Sequence, residues 1–481
     1  MKKLRECKNF GELYETIGEA NFENVAYILT IMLIVAPVIA GIINYFMIQD
    51  SYNYITPYNA YEYNYKCMPI WNIVFMLMCF WCVLYYVGKI SYNKCGVKGA
   101  FFSIKKEQKW LIWWMLLLVW TVIPVIFSPD VQGAFLGTSQ LASGYISHFY
   151  TLGVMGCVNM VSNRKKKEEI VWAFIIIMDV LSIIMIAYEY DVPFLRLFTA
   201  TSGVSVYTNS NHFGYMLTMV CVAITGIYYK LLSSNEDKKR RKIAFCLLSF
   251  AIQAFSIIIN DTLGSYLAIV FALIVIPFIW LANKKKIRIT CFIPHFILLI
   301  LTMLSYYGAF PTKLGSTIGQ SLVVFVFDLL KVKQQTEGYR HAGTDRMGLW
   351  IDTVKKISES PIVGYGPGVI SYRNGNYILW DTPHNEFLEC ALFMGIPGLV
   401  LYVGGLIALC IDKCRKIKSL TTSELIAGGV IIGYLASSFF GVRKYNTVCY
   451  FFMFIGLLVG KQRQNYKNED RCLSDEGSEE K

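Results

Sequence analysis

Long apolar stretches alternate along this chain with short polar segments that carry most of its charge. A bilayer core of ~30 Å takes roughly 20 residues of α-helix to cross. Twelve stretches approach that length, at about 25–48, 69–88, 110–127, 141–161, 170–188, 213–232, 243–259, 263–282, 289–306, 387–411, 425–441 and 446–460. None alternates strictly between apolar and polar, as a barrel strand would. Backbone groups at membrane depth must also be paired within the chain, which favours helices. The pattern therefore predicts an all-α, polytopic membrane bundle of about 12 transmembrane helices. It divides the chain into an N-terminal segment (1–24), helices one to nine (25–306), a large loop (307–386), helices ten to twelve (387–460) and a charged tail expected to be disordered (461–481). The basic start (Lys2, Lys3, Arg5, Lys8) is separated from the first apolar stretch by polar residues, and no small-residue cleavage site follows. The first helix is therefore expected to be retained.

Composition strengthens this reading. Of 481 residues, 55% are hydrophobic and only 16% charged, too few polar side chains to cover several soluble domains. A soluble multidomain enzyme, a disordered chain and a disulfide-rich secreted module are excluded. The net charge of +12 comes largely from short basic runs such as Arg164–Lys167, Lys238–Lys242 and Lys284–Lys286. These read as cytoplasmic loops rather than a nucleic-acid surface. With the N-terminus inside, the outer side holds only Lys66, Arg196, Arg443, Lys444 and the basic residues of the long loop. Short loops thus follow the positive-inside rule, and both termini are expected in the cytoplasm. The 14 cysteines form no disulfide framework, and the Cys79–Cys82 pair reads as packing within an apolar stretch.

The long loop, expected outside, carries the chemistry. Residues 321–332 are apolar but too short to span, so they are expected to lie in the interface or re-enter the membrane. Apolar positions 347, 350, 351, 354 and 357 trace one helical face, with Thr344 the expected N-cap and Pro361 the stop. Arg346 then falls in the first turn, where a cation is unfavourable unless an anion lies near. It fits either a solvated surface arginine or a phosphate clamp. The run Gly364-Tyr365-Gly366-Pro367-Gly368 is read as a shape-setting turn, because no strand–helix unit surrounds it and Pro367 lacks an N–H. Pro383 starts a helix that feeds the tenth span, placing His384 in its first turn beside Asn385 and Glu386. His384 fits either a structural histidine or a base able to take a proton from a hydroxyl. Before the sixth span, Tyr207–Gly214 is dense in Asn, Ser and Thr, which suits a turn or a sugar contact. Asp179, mid-span, must face the bundle and find a partner the sequence does not name.

Taken together, Thr344-Asp345-Arg346, Trp350, Pro361 to Gly368, His384-Asn385-Glu386-Phe387-Leu388-Glu389 and Gly395-Ile396-Pro397-Gly398 resemble the core signature of the O-antigen ligase/polymerase superfamily. Asn209-Ser210-Asn211 resembles the family's N-P-N element, with Ser210 where proline is common. The resemblance covers roughly 200–410 by motif. It implies a GT-C-like bundle that moves a glycan from undecaprenyl pyrophosphate to an acceptor hydroxyl outside a bacterial plasma (inner) membrane, with no metal or other cofactor. The implied partners are the lipid-linked donor, a glycan or lipid acceptor, the bilayer and other polysaccharide-assembly membrane proteins, with no nucleic acid. It gives His384 the activation or orientation of the acceptor hydroxyl and Arg346 the departing pyrophosphate. Asn385, Glu386, Tyr365, Asn209 and Asn211 would contact the substrate. One departure stands out: Leu263 occupies a place where the family pattern has arginine, so a second pyrophosphate arginine is missing and Arg196 is the expected substitute. The rival readings are a transporter or flippase of lipid-linked glycan, for which internal repeats are lacking, and a non-catalytic assembly protein.

Overall fold

The structure, a computed structural model, describes residues 6–48, 57–94, 108–137, 143–192, 207, 209–234, 239–313, 315–335, 338–367, 372–374, 377–380 and 382–460. The expected disordered tail, 461–481, lies outside these residues. A short amphipathic helix, α1 (Phe10–Ile17), is capped by Asn9, whose side chain accepts the Glu12 N–H. The helices α2 (Glu19–Ile48), α3 (Pro57–Tyr92), α4 (Lys109–Ile126), α5 (Val131–Leu136), α6 (Tyr145–Asn159) and α7 (Arg164–Glu189) follow. Next come α8 (Ser210–Ser233), α9 (Lys239–Asn260), α10 (Leu263–Ala282) and α11 (Ile293–Tyr306). The long loop holds α12 (Ile318–Gln334) and α13 (Arg346–Glu359), and the chain closes with α14 (Glu386–Arg415), α15 (Thr422–Ser438) and α16 (Tyr445–Val459).

Each of the twelve expected spans falls on a helix. Among the described residues, nine helices are long and apolar enough to cross a membrane. The other three, α6, α15 and α16, have 15, 17 and 15 residues. At 1.5 Å per residue they reach only ~22–26 Å. Every residue of α16 is buried, so its ends meet protein and need not match the full hydrocarbon thickness. The enclosed centre of the bundle is α8, packed between α9, α10 and α15.

Two readings of apolar stretches gain their contacts here. Asp179 of α7 accepts hydrogen bonds from the Ser249 hydroxyl (2.7 and 2.6 Å) and the Gln253 amide (2.7 Å) of α9. Ser182 in turn donates to Gln253 at 2.9 Å. A carboxylate in the apolar interior is thus surrounded by donors on the facing helix. Cys79 and Cys82 of α3 lie against Gly153 and Gly156 of α6, where an added Cβ would collide with either sulfur. The Cys79–Cys82 pair is close packing of small residues.

The long loop is anchored to a break in α14. Gly395 adopts φ 68°, ψ 175°, which interrupts the helical hydrogen-bond ladder. The Pro361–Gly366 turn fills the gap: Tyr365 N–H donates to Leu392 O (3.1 Å), Gly366 N–H to Phe393 O (2.9 Å), and Ile396 N–H to Pro361 O (2.8 Å). Carbonyls freed inside this apolar helix thus regain partners. Gly364 has φ +71°, and a Cβ there would sit 2.7 Å from Gly395 N and the Phe393 carbonyl. The glycine run therefore shapes a backbone-to-backbone joint. Helix α12 packs on α11 and leaves Val324, Val326 and Phe327 exposed, the side an interfacial helix turns toward lipid. One element departs from the all-helical expectation: residues Tyr372–Asn374 (β1) and Tyr377–Trp380 (β2) pair as a small antiparallel hairpin.

Candidate active site

Arg346 is positioned by an unusual turn. Gly343, Thr344 and Asp345 all have positive φ (66°, 58° and 64°), so the chain reverses sharply before α13. The Gly343 N–H donates to the Asp328 carboxylate of α12 at 2.9 Å, which ties the turn down. Thr344 is therefore not the N-cap. Asp345 holds that place, makes no side-chain cap bond, and accepts His341 Nδ1 at 2.6 Å instead. Arg346 is the first helical residue. Its Nη2 donates to Asn211 Oδ1 (3.1 Å) in the first turn of α8. Asn209 caps that helix by accepting the Asn211 N–H at 2.8 Å. Burial lowers the guanidinium below its ordinary value, yet arginine remains charged.

One turn further along α13, Trp350 lies on the same face as Arg346. Its indole N–H donates to the Pro383 carbonyl at 3.0 Å, so α13 also fixes the peptide leading into His384. His384 has φ 49° and precedes the helix rather than opening its first turn. The N-cap of α14 is Asn385, whose Oδ1 accepts from Phe387 and Leu388 N–H, both at 3.0 Å. Proline biased the sequence reading toward an earlier start; the Asn385 cap sets the real one. His384 is partly buried, and burial together with the Arg346 charge pushes its imidazole down to about 4. It is accordingly a neutral base at physiological pH.

The other expected contacts divide. Arg346, Asn211 and His384 are brought together, with Asn209 shaping the turn beneath them. Asn385 spends its acceptor on the cap. Glu386 points into the bundle, where Tyr402 (2.8 Å) and Tyr434 (3.0 Å) donate to its two oxygens. It lines a cavity of about 20 Å³ with Ser143, His148 and Arg443, room for a water and not for a sugar. Tyr365 donates to Lys356 O (3.3 Å) and the Glu359 carboxylate (3.1 Å) near the far end of α13. That places it ~15–20 Å along the helix from Arg346. Asn385 and Glu386 thus bond within the protein, and Tyr365 lies away from Arg346 along α13. Arg196 lies outside the described residues.

Three residues were missed. His212, beside Asn211, is buried and lies within electrostatic reach of both His384 and Lys444. Arg443 and Lys444, between α15 and α16, are 7% and 1% exposed. The Arg443 N–H donates to Glu389 Oε2 at 3.3 Å, while its Nε and Nη2 have no hydrogen-bond partner among the described residues. The sequence did carry a signal for the pair: two adjacent cations in a short loop on the side where short loops hold few. The arrangement gathers cations and imidazoles at the common end of α8, α13, α14 and α16, a constellation suited to an anion beside a hydroxyl that must lose a proton. Among the described residues, no group of three or more His, Cys, Asp or Glu is arranged to hold a metal ion.

No curated protein matches the chain. Residues 248–403 match the family model described as O-Antigen ligase. The matched stretch runs from α9 through the long loop into α14 and contains both Arg346 and His384. This stretch is similar to the O-antigen ligase family, and among the described residues the chain has nine helices long and apolar enough to cross a membrane.

Proposed function

We propose that this protein is a metal-independent glycosyltransferase of the plasma membrane. It takes a glycan from undecaprenyl pyrophosphate and places it on an acceptor hydroxyl at the extracytoplasmic face, extending or attaching a surface polysaccharide. The observation that carries this reading is the meeting of Arg346, held by Asn211, with His384 at one end of the bundle.

Neutral His384 takes the acceptor O–H proton as that oxygen attacks the anomeric carbon. The bond from the anomeric carbon to the pyrophosphate oxygen breaks, and its electron pair leaves with the lipid diphosphate. Arg346 offsets the charge that develops on the leaving oxygen, and Lys444 supplies a further cation nearby. The proton on His384 then passes to solvent or to the departing diphosphate. The prenyl tail lies between helices, which accounts for an outer loop mounted on a membrane bundle. In this reading 307–386 faces outside and both termini face the cytoplasm.

The test is incubation of purified protein with an undecaprenyl-pyrophosphate-linked oligosaccharide, following chain length and carrier by mass spectrometry. Wild type should lengthen the glycan or move it to a second carrier. His384→Ala should lower the rate about 10²–10⁴-fold at unchanged protein level. A His384→Ala enzyme as fast as wild type would falsify the assignment.

A further inference from the structure

The opposite end of α8 opens onto a different kind of site. Asn211 and Lys230 lie near the two ends of this helix, ~30 Å apart at 1.5 Å per residue. Around Lys230 there is a cavity of about 660 Å³ whose lining includes Arg164, Lys165, Glu168, Lys230, Trp280 and Lys285. That volume suits an organic ligand rather than a single ion. Four of these residues are cations and one is an acid.

The acid does not balance the site. Glu168 pairs with Lys230 at 2.6 Å. Lys285 donates to the Thr422 hydroxyl (3.1 Å) and sits 5.9 Å from the Trp280 ring centre. Lys165 reaches only Glu169, at 3.8 Å, and is largely exposed. Arg164 has no ion-pair partner among the described residues. Helix dipoles explain half of the cluster. Lys230 is in the last turn of α8 and Lys285 follows the C-terminus of α10, where positive charge is favoured. Arg164 and Lys165 open α7, at its positive end, with no acid in the first turn. A cation is disfavoured there unless an anion is close. Both Arg164 and Lys285 line the cavity, and burial together with the Arg164 charge holds the Lys285 ammonium below its ordinary value. The positive-inside rule accounts for basic loops, but it does not require them to converge on one hollow.

We infer that this cavity binds a phosphate ester, remote from the candidate active site. Its source is either the headgroup of an anionic phospholipid in the adjoining leaflet or a soluble phosphate compound. Basic hollows between transmembrane helices suit such headgroups, and Trp280 supplies the aromatic wall typical of the interface.

The full-length protein, purified and placed in phosphatidylcholine nanodiscs with graded phosphatidylglycerol, tests this by native mass spectrometry of retained lipid. A parallel titration calorimetry arm uses glycerol 1-phosphate. Retained phosphatidylglycerol supports the headgroup source, and binding of glycerol phosphate alone supports the soluble one. In either case Arg164→Gln and Lys285→Gln should each weaken binding about fivefold. Lys284→Gln and Lys286→Gln, which alter neighbouring cations outside the cavity lining, should leave it unchanged. Arg164 is exposed, so its variant tests binding without disturbing the core. If neither probe binds, or if the Lys284 and Lys286 variants weaken binding as much as the cavity variants, the inference is overturned.

Discussion

His384 owes its chemistry to its surroundings. An exposed histidine titrates near ~6.5, and a base of that kind would fade through the mildly acidic range. Burial and the neighbouring Arg346 charge hold this imidazole at about 4. The proton is therefore taken up only as pH falls toward that value, and the base stays free at pH 5–8. The acid limb of kcat/KM is expected near 4. In kcat it should move upward, because bound diphosphate neutralises Arg346 and removes part of the depression. Profiles of the two quantities decide this, and a kcat/KM limb at the ordinary histidine value would remove His384 as the base. Arg346→Lys keeps a charge but loses the planar fork and the bond to Asn211, so a loss of about 10–100-fold in transfer is expected. Asn211→Ala frees the guanidinium and should cost a smaller factor, on the order of tenfold, because a hydrogen bond to a charged group contributes about 1.5–3 kcal/mol. Arg346 and His384 were legible because each sits in a local motif. His212 was not, because what sets it within electrostatic reach of His384 and Lys444 is the approach of segments far apart in the chain.

At the scale of elements, hydropathy and periodicity are local quantities, and the helices followed from them. The exact starts did not. Thr344 looked like a cap, but the Gly343–Asp328 hydrogen bond holds the turn in a left-handed conformation that a sequence window cannot see. The glycine-rich turn was read as shape without a partner; its partner is the gap in α14. Gly395→Ala therefore meets both a positive φ and the Ile362 carbonyl oxygen. Backbone strain of that kind alone costs about 1–3 kcal/mol, so thermal unfolding in detergent should show a clear loss of Tm. The Asp179 site gives a graded contrast. Asp179→Asn preserves polar partners for Ser249 and Gln253 and should change stability by under about 1 kcal/mol, whereas Asp179→Leu strands them and should cost about 1–3 kcal/mol. Equal melting temperatures for the two variants would show that the network contributes nothing.

For the whole molecule, the distribution of basic residues predicts an orientation that can be measured. In a background with the exposed Cys410 and Cys414 replaced by serine, Lys355→Cys on α13 should react with a membrane-impermeant maleimide in intact cells. Lys284→Cys should react only after lysis, and the reverse pattern would turn the molecule over. The short lengths of α15 and α16 were already visible in their apolar stretches, whereas α6 came out shorter than its stretch, since apolar composition does not distinguish a helix wrapped in lipid from one wrapped in protein. The enclosure of α8 has a consequence for how such an enzyme changes its clientele. Asn211 and His212 ride on a rod gripped by neighbours along most of its length, so few substitutions there are tolerated. Arg346 rides on a surface helix joined to the bundle by a handful of bonds. Laboratory selection for a new acceptor should accordingly gather its successful changes in the outer segment around α13, leaving the central rod untouched.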